Sequence, residues 1–537
     1  MDNEQQIITP TPEIKSKKKL IITIIGLIII ILIGLGIYLF FTKPDSQPTV
    51  VTPEPNIAAV NSLEDSPFGF HPGNANNYSY ALDMGSFWSR QGTYVIWTWV
   101  DPNKNGSFKF INAVSPPKPD VPGSGGKIDY DELRSNPLES INVVANVCPF
   151  SSRGEKEFVN EQEKKIYSNF IKKNVERYDG DSDLGCTQTV PDCYIKGDNE
   201  YPNQETINKL KANPVKYWQV CNDFFDVCGG KEQCRNNLYA KKYAEVQRIT
   251  YQAVKLADPS ASVLIAGDTA SEYYPAVLKE LGGKYVDIID RHIFGNDLNY
   301  SPKETFDYIK TSLQAAGFDL SKLRFWITET GTYSGDPLPS PKGVDEPYQS
   351  EKQQANSLVK RYVSDLSYGI EKIFWAWNIM ESFRRDCTFF DYTGLIYDGC
   401  DCSNGKYVCQ KNIGYDLGKD VKKLAYYSYK LMTEKLEGSD WDNISKVQEA
   451  NEIYIYKFNK AGKNIWVAWN DNSGTQQVTI SGVSSTKVKV TEAVPKYASG
   501  KEVIDYSSAF NTEIKTVSSG GQVTITLGQN PVYIELD

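Results

Sequence analysis

Arg324-Phe325-Trp326-Ile327-Thr328-Glu329-Thr330-Gly331 is an apolar, β-prone run that ends abruptly on a carboxylate and a glycine. A carboxylate at the mouth of an apolar sheet is costly to desolvate, and nucleophilic attack is one reason for it to be there. The plainer reading is a solvated glutamate at a strand end, capping the next helix. The run alone does not choose between the two, so its neighbours must.

Outward from it, from Phe68 to about Leu436, short β-prone runs alternate with amphipathic helical stretches, which argues for a parallel sheet with helices outside. Eight strands are expected, at 68–70, 92–100, 141–148, 215–222, 263–267, 286–294, 323–329 and 372–378. Helices are expected at 155–177, 238–256, 302–316 and 351–367. Eight such strands close into a TIM (β/α)8 barrel, and the surplus length falls after strands, at 181–214, 224–234, 332–347 and 382–413. Those loops crown the C-terminal face, where barrel enzymes carry their sites.

The strand ends are chemically pointed. Arg90 stands just before strand two, Asn222 and Asp223 at strand four, His292 at strand six, Glu329 at strand seven, and Trp375 and Trp377 on strand eight. A barrel brings these to one mouth. Two carboxylates facing each other across a cleft lined with aromatic rings suit glycoside cleavage, since ring faces match the CH surfaces of sugars. Each residue also has a structural reading: the tryptophans as core, His292 as a satisfied interior histidine, Arg90 as a clamp on a loop carbonyl.

Several of these segments resemble the clan A glycoside hydrolases, the retaining "four-over-seven" barrels. Tyr217-Trp218-Gln219-Val220-Cys221-Asn222-Asp223 resembles their strand-four motif and Ile327-Thr328-Glu329-Thr330-Gly331 their strand-seven motif. Glu176 to Asp181, Ala257-Asp258-Pro259, Thr393 to Ile396 and Ala425 to Tyr429 are similar in the same way. The resemblance covers most of residues 67 to 436. It implies a glycosidase in which Glu329 is the nucleophile, supported by Arg90 and Asn222, and Asp223 holds the acid/base position; the shared barrel mouth adds His292, Trp375 and Trp377 around the carbohydrate. No cofactor is implied.

The sequence departs from that family in two places. Asp223 stands where the family has Glu, with Phe224 where Pro usually follows, and Phe294 stands where it often has Tyr two residues after the strand-six His. Loss of a methylene retracts the carboxyl by ~1.5 Å, against a separation of ~5 to 5.5 Å for a retaining pair. Asp226 or Glu232 on the next loop is an alternative proton donor. The competing reading of the whole barrel is a catalytically impaired glycan-binding or surface-scaffold protein.

After about Glu437 the pattern turns to short alternating strands, at 453–458, 464–469, 476–480, 488–494, 522–527 and 531–536, which reads as a small all-β sandwich over 437–537. At the other end, Leu20 to Phe41 is an almost unbroken apolar run. As a helix at ~1.5 Å per residue it reaches ~33 Å, enough to cross a bilayer. It is longer than a secretory h-region and has no small-x-small cleavage site, so an uncleaved transmembrane signal anchor is expected. Lys15, Lys17, Lys18 and Lys19 precede it and place a tail of residues 1–19 in the cytoplasm and the remainder outside the cell membrane. Pro44, Pro48, Pro53 and Pro55 make 42–66 an extended tether.

All ten cysteines lie between Cys148 and Cys409. An even number in an exported segment favours disulfides. The expected pairs are Cys186 with Cys193, Cys228 with Cys234, Cys148 with Cys221, and two bridges among Cys387, Cys400, Cys402 and Cys409. A zinc site fails on spacing, because Cys400-Asp401-Cys402 is too close, and no metal is expected. The net charge of −9 without a basic stripe argues against nucleic acid as a partner.

Overall fold

The computed structural model describes residues 64–537 apart from 74–76, 92–93, 117–124, 136–140, 151–156, 181–203, 224–236, 270–272, 296–301, 339–345, 404–405 and 409–417. The expected cytoplasmic tail, membrane anchor and most of the tether therefore lie outside the described residues. So do the Cys186–Cys193 and Cys228–Cys234 pairs, Asp226 and Glu232. Among the described residues no helix is long and apolar enough to cross a membrane.

Eight parallel strands close a barrel: β1 (Phe68–Gly73), β2 (Trp88–Gln91), β3 (Asn142–Cys148), β4 (Tyr217–Val220), β5 (Ser262–Leu264), β6 (Ile288–Phe294), β7 (Arg324–Gly331) and β8 (Lys372–Ala376). Each pairs with its sequence neighbours, and β1 with β8 completes the ring. Strand two differs from the sequence expectation. It is Trp88–Gln91, so Arg90 lies within it rather than ahead of it. Val95–Ile96 adds a short strand beside β3, and Trp97–Val100 forms a single helical turn. The run 95–100 is apolar because Trp97 and Val100 are buried, with Trp97 against Phe150 and Tyr167. A short apolar run cannot by itself distinguish strand from buried helix.

The helices that feed the strands include α1 (Glu161–Tyr178), α2 (Asn237–Ala257), α3 (Tyr274–Leu281), α4 (Pro302–Ala315), α5 (Glu351–Ser367) and α6 (Leu424–Leu436). Helix α5 begins where Ser350 and Gln353 form a reciprocal capping box, satisfying two amides that have no partner within the helix.

Strand alternation builds the barrel interior in layers. Trp88, Val144, Tyr217, Leu264, Ile288, Trp326 and Phe374, one from each of β2 to β8, form a dry plug. Two residues further along the same strands stand Arg90, Asn146, Gln219, Asp290 and Thr328, all buried. A polar layer thus rests on an aromatic floor.

The C-terminal part has a six-stranded antiparallel sheet, β9 (Ser445–Ala450), β10 (Ile453–Lys460), β11 (Lys463–Asn470), β13 (Lys487–Glu492), β14 (Thr512–Thr516) and β16 (Val532–Leu536), and a ribbon of β12 (Gln476–Ser481) with β15 (Gln522–Leu527). Period two divides its faces. Ile453, Ile455, Trp466 and Ala468 join the ribbon's Val478, Ile480 and Ile525 in one core, while Tyr456, Phe458, Val467 and Trp469 join the barrel's. The sequence pattern missed β9 and β14, the two edges of the sheet. Their side chains are mostly exposed and lack an apolar face to betray them. Glu351 of α5 ties the two parts, accepting from the amides of Leu424 and Gly500 at 2.8 Å each and from the hydroxyls of Ser499 and Tyr397.

Candidate active site

Glu329 reaches the barrel interior because β7 is irregular. Trp326 and Thr328 face inward, so strict alternation would turn Glu329 out toward the helices. Instead the pairing of β7 with β6 slips between Ile327 and Glu329, leaving Thr328 as the extra residue. The bulge re-aims the next side chain, so that Thr328 and Glu329 both point into the barrel.

Arg90 holds the carboxylate. Its Nη1 lies 2.5 Å from Glu329 Oε1, its Nε donates to Gln219 Oε1 at 2.6 Å and its Nη2 to Asn222 Oδ1 at 2.7 Å. His71, from the end of β1, completes the fork. Its Nδ1 lies 3.0 Å from the Arg90 carbonyl, which only accepts, so Nδ1 carries the proton. Its Nε2 then accepts from Arg90 Nη1 at 3.1 Å. His71 Nε2 and Glu329 Oε1, 3.4 Å apart, are two acceptors sharing one donor rather than an ion pair. Burial and the neighbouring guanidinium hold the His71 pKa well below the ordinary histidine range, in keeping with a neutral ring.

His292 is the opposite case. Its Nδ1 lies 3.2 Å from Asp223 Oδ1 and 3.4 Å from Glu329 Oε2, and its Nε2 3.1 Å from Thr328 Oγ1, which donates to Asp290 Oδ2 at 2.6 Å. Burial disfavours charge on the ring, yet Glu329, Asp223 and Asp290 outweigh it and push the pKa up to about 10. Asp290 is anchored in turn by the amides of Arg291 and Thr328 and by the Gln219 amide. Burial pushes the Glu329 pKa up, opposed by His292 and Arg90.

Asn222 and Asp223 follow β4 through Cys221, which has φ 60° and is bridged to Cys148 at the end of β3. Asn222 Oδ1 also accepts from Tyr94 at 2.9 Å, and Asn222 Nδ2 donates to Asp223 Oδ2 at 3.0 Å. The Asp223 side chain is 30% exposed against 1% for His292 and 2% for Glu329, so it is the member of the cluster that meets solvent.

Trp377 lines the mouth with its ring 5.0 Å from His71, 4.7 Å from Phe383 and 6.1 Å from Phe294. Phe294 is thus part of an aromatic wall with Phe389 and Phe390. The wall's loop is shaped by Asp391, whose carboxylate accepts from the amides of residues 384 to 387. The Cys387–Cys402 bridge pins the same loop, and Cys400 is disulfide-bonded too. Trp375 is not brought to the site. Phe374 faces the barrel interior, so alternation sends Trp375 outward into the core, with its Nε1 on the Thr393 carbonyl at 3.0 Å.

Sequence reasoning placed Arg90, Asn222, Asp223, His292, Glu329 and Trp377 at one mouth, and they meet there. It missed His71, Gln219 and Asp290. One signal was available for His71: the chain has only two histidines, and both lie on Glu329.

A closed eight-stranded parallel barrel with antiparallel sheets after it is a fold this chain shares with solved glycoside hydrolases. No protein-family model and no curated protein matches this chain in sequence. Solved structures do match in fold. A family 39 glycoside hydrolase from Bacteroides cellulosilyticus WH2 superposes with a TM-score of 0.55 at 14% identity, over 89% of this chain and 82% of that one. A GH51 α-L-arabinofuranosidase from Thermotoga petrophila RKU-1 gives 0.52 at 12% identity, over 88% and 92%. An α-L-arabinofuranosidase from Thermotoga maritima gives 0.51 at 12%, with the same coverage.

Proposed function

We propose that this protein is a membrane-anchored, outward-facing glycosidase that cleaves β-linked polysaccharide or glycoconjugate with retention of configuration. One observation carries the reading: Asp223 and Glu329, from opposite sides of the barrel, both lie against His292 Nδ1. Contacts of 3.2 and 3.4 Å to one atom put these two oxygens no more than about 6.6 Å apart, which admits the ~5 to 5.5 Å of retaining pairs and reaches only the lower edge of the ~6.5 to 9.5 Å of inverting ones.

In this reading Glu329 attacks the anomeric carbon, held by Arg90 with its charge toward the substrate. Asp223 protonates the departing oxygen and later takes the proton of the incoming water. Asn222 and the Trp377 face bind the sugar. The run 20–41 anchors the chain.

The test is mass-spectrometric labelling with an activated 2-fluoro-sugar. A sugar ester on Glu329, and loss of turnover in Glu329→Gln, is the expected result. An unlabelled Glu329, with hydrolysis of a broad glycan panel unchanged in the variant, sinks the assignment. Asp223 in place of Glu, and Phe294 without a hydroxyl, favour a second reading as a glycan-binding barrel. Turnover of any arrayed glycan by the wild-type protein ends that alternative.

A further inference from the structure

We infer that His292 is the proton store of the site, lending its Nδ1 proton to Asp223 as Glu329 is consumed and taking it back as Glu329 is released. The inference rests on the glycosidase reading of the same site and adds a role for a residue behind the two carboxylates.

The geometry makes His292 the common partner of both. Its Nδ1 faces Asp223 Oδ1 and Glu329 Oε2, while its Nε2 is fixed by Thr328 and Asp290. The ring is closed off from solvent, and among the described residues these are the outlets for its proton. Asp223, shorter by a methylene than a glutamate, meets solvent on one side and the ring on the other. Gly267, after β5, completes the fit, since a Cβ there would collide with His292 Nε2 and Asp290 Oδ2.

Among the described residues, the charged and titratable groups around the ring include Glu329 and, further off, Arg90, with neutral His71 beside it, Asp223 after β4, and Asp290 on its own strand. Of these, Glu329 is the strongest influence holding the proton on the ring. When Glu329 oxygen bonds to the anomeric carbon its negative charge disappears into a neutral ester. The imidazolium then loses its main counter-charge inside a buried site and becomes acidic.

The steps balance. As the bond from anomeric carbon to leaving oxygen breaks and that from carbon to Glu329 oxygen forms, the Nδ1 proton passes to Asp223 Oδ1 and the Asp223 carboxyl passes one proton to the leaving oxygen. In the second half Asp223 takes a proton from water as the water oxygen bonds to carbon. Glu329 leaves as carboxylate, and the proton returns from Asp223 to His292 Nδ1. Proton release is thereby timed to the moment the leaving group needs it.

Two histidines in the chain make the test direct. In 15N-histidine NMR of the full chain at about pH 8, above the ordinary imidazole pKa of ~6.5 and below about 10, one ring is expected neutral and one charged. The protein is then trapped with a panel of 2,4-dinitrophenyl 2-deoxy-2-fluoro pentosides and hexosides. The charged signal is expected to become neutral on trapping; persistence of the charged signal in a labelled protein overturns the inference while leaving the glycosidase reading intact. Absence of any label on Glu329 takes down both. Kinetics give a second measure. His292→Gln is expected to lose about 100-fold or more on phenyl glycosides and under about 10-fold on dinitrophenyl glycosides, whose leaving group needs no proton. Equal losses on both, with Glu329 still labelled, reduce His292 to scaffold and overturn the inference.

Discussion

Arg90 Nη1 and Glu329 Oε1 stand 2.5 Å apart across the barrel, with Arg90 fully buried and Glu329 2% exposed. A buried carboxylate persists only when paired, and breaking such a pair costs about 3–5 kcal/mol because the remaining charge is stranded. Arg90→Met is therefore expected to lose roughly that much stability by denaturant unfolding, together with activity. Arg90→Lys restores charge but not the fork to Gln219 and Asn222, so it should recover part of the stability and little of the turnover.

The two histidines pull stability in opposite directions with pH. The His292 pKa is raised in the folded chain, so its contribution is full below ~6.5 and is lost as pH rises toward about 10. The His71 pKa is lowered, so the unfolded chain takes up a proton that the folded one refuses, and stability falls as pH drops below ~6.5. Together they favour a maximum near pH ~6.5. Unfolding midpoints across pH in His292→Gln should decline less on the alkaline side, and those of His71→Gln less on the acid side.

Gly267→Ala should behave unlike an ordinary glycine replacement. Its backbone is outside the left-handed region, yet a Cβ would run into the His292 ring. Overpacking of this kind costs typically about 1–3 kcal/mol. The melting temperature and turnover should drop together, and the His292 imidazole signal should shift.

The Cys148–Cys221 bridge joins the ends of β3 and β4 one residue before Asn222. Replacing both cysteines by serine should cost ~2–4 kcal/mol, as for a long closed loop. It should also free the turn that aims Asn222 and Asp223, so turnover should fall at temperatures where circular dichroism still shows the fold.

Glu351→Ala strands the amides of Leu424 and Gly500, both buried partners of one carboxylate oxygen. Two orphaned donors at ~1–3 kcal/mol each predict a large drop in melting temperature. Because Glu351 is no part of the Glu329 cluster and holds the C-terminal sheet to the barrel, the labelling of Glu329 by a fluoro-sugar should survive below the new melting point.

Local pattern determined much of this molecule. The alternation of β-prone and amphipathic segments announced the barrel, the amphipathic run from 351 to 367 coincides with α5, and six of the predicted site residues converge because strand ends of a parallel barrel share one face. Cys148 with Cys221 was legible from sequence by assigning local partners to the other cysteines, and the structure forms that bridge. Three things depended on contacts between distant segments. Trp375 was misjudged because a strand's inward face is fixed only by its neighbours' register. The strand at 88–91 was hidden beside a more apolar run buried for other reasons. The roles of the two histidines were set by their surroundings, since imidazoles of the same intrinsic pKa are held neutral beside Arg90 and charged among three carboxylates. Glu329 owes its place to both. Sequence supplied an acid at the end of a buried strand, but period two would have turned it away from the barrel; a one-residue slip against β6, a property of pairing and not of the strand, is what points it inward.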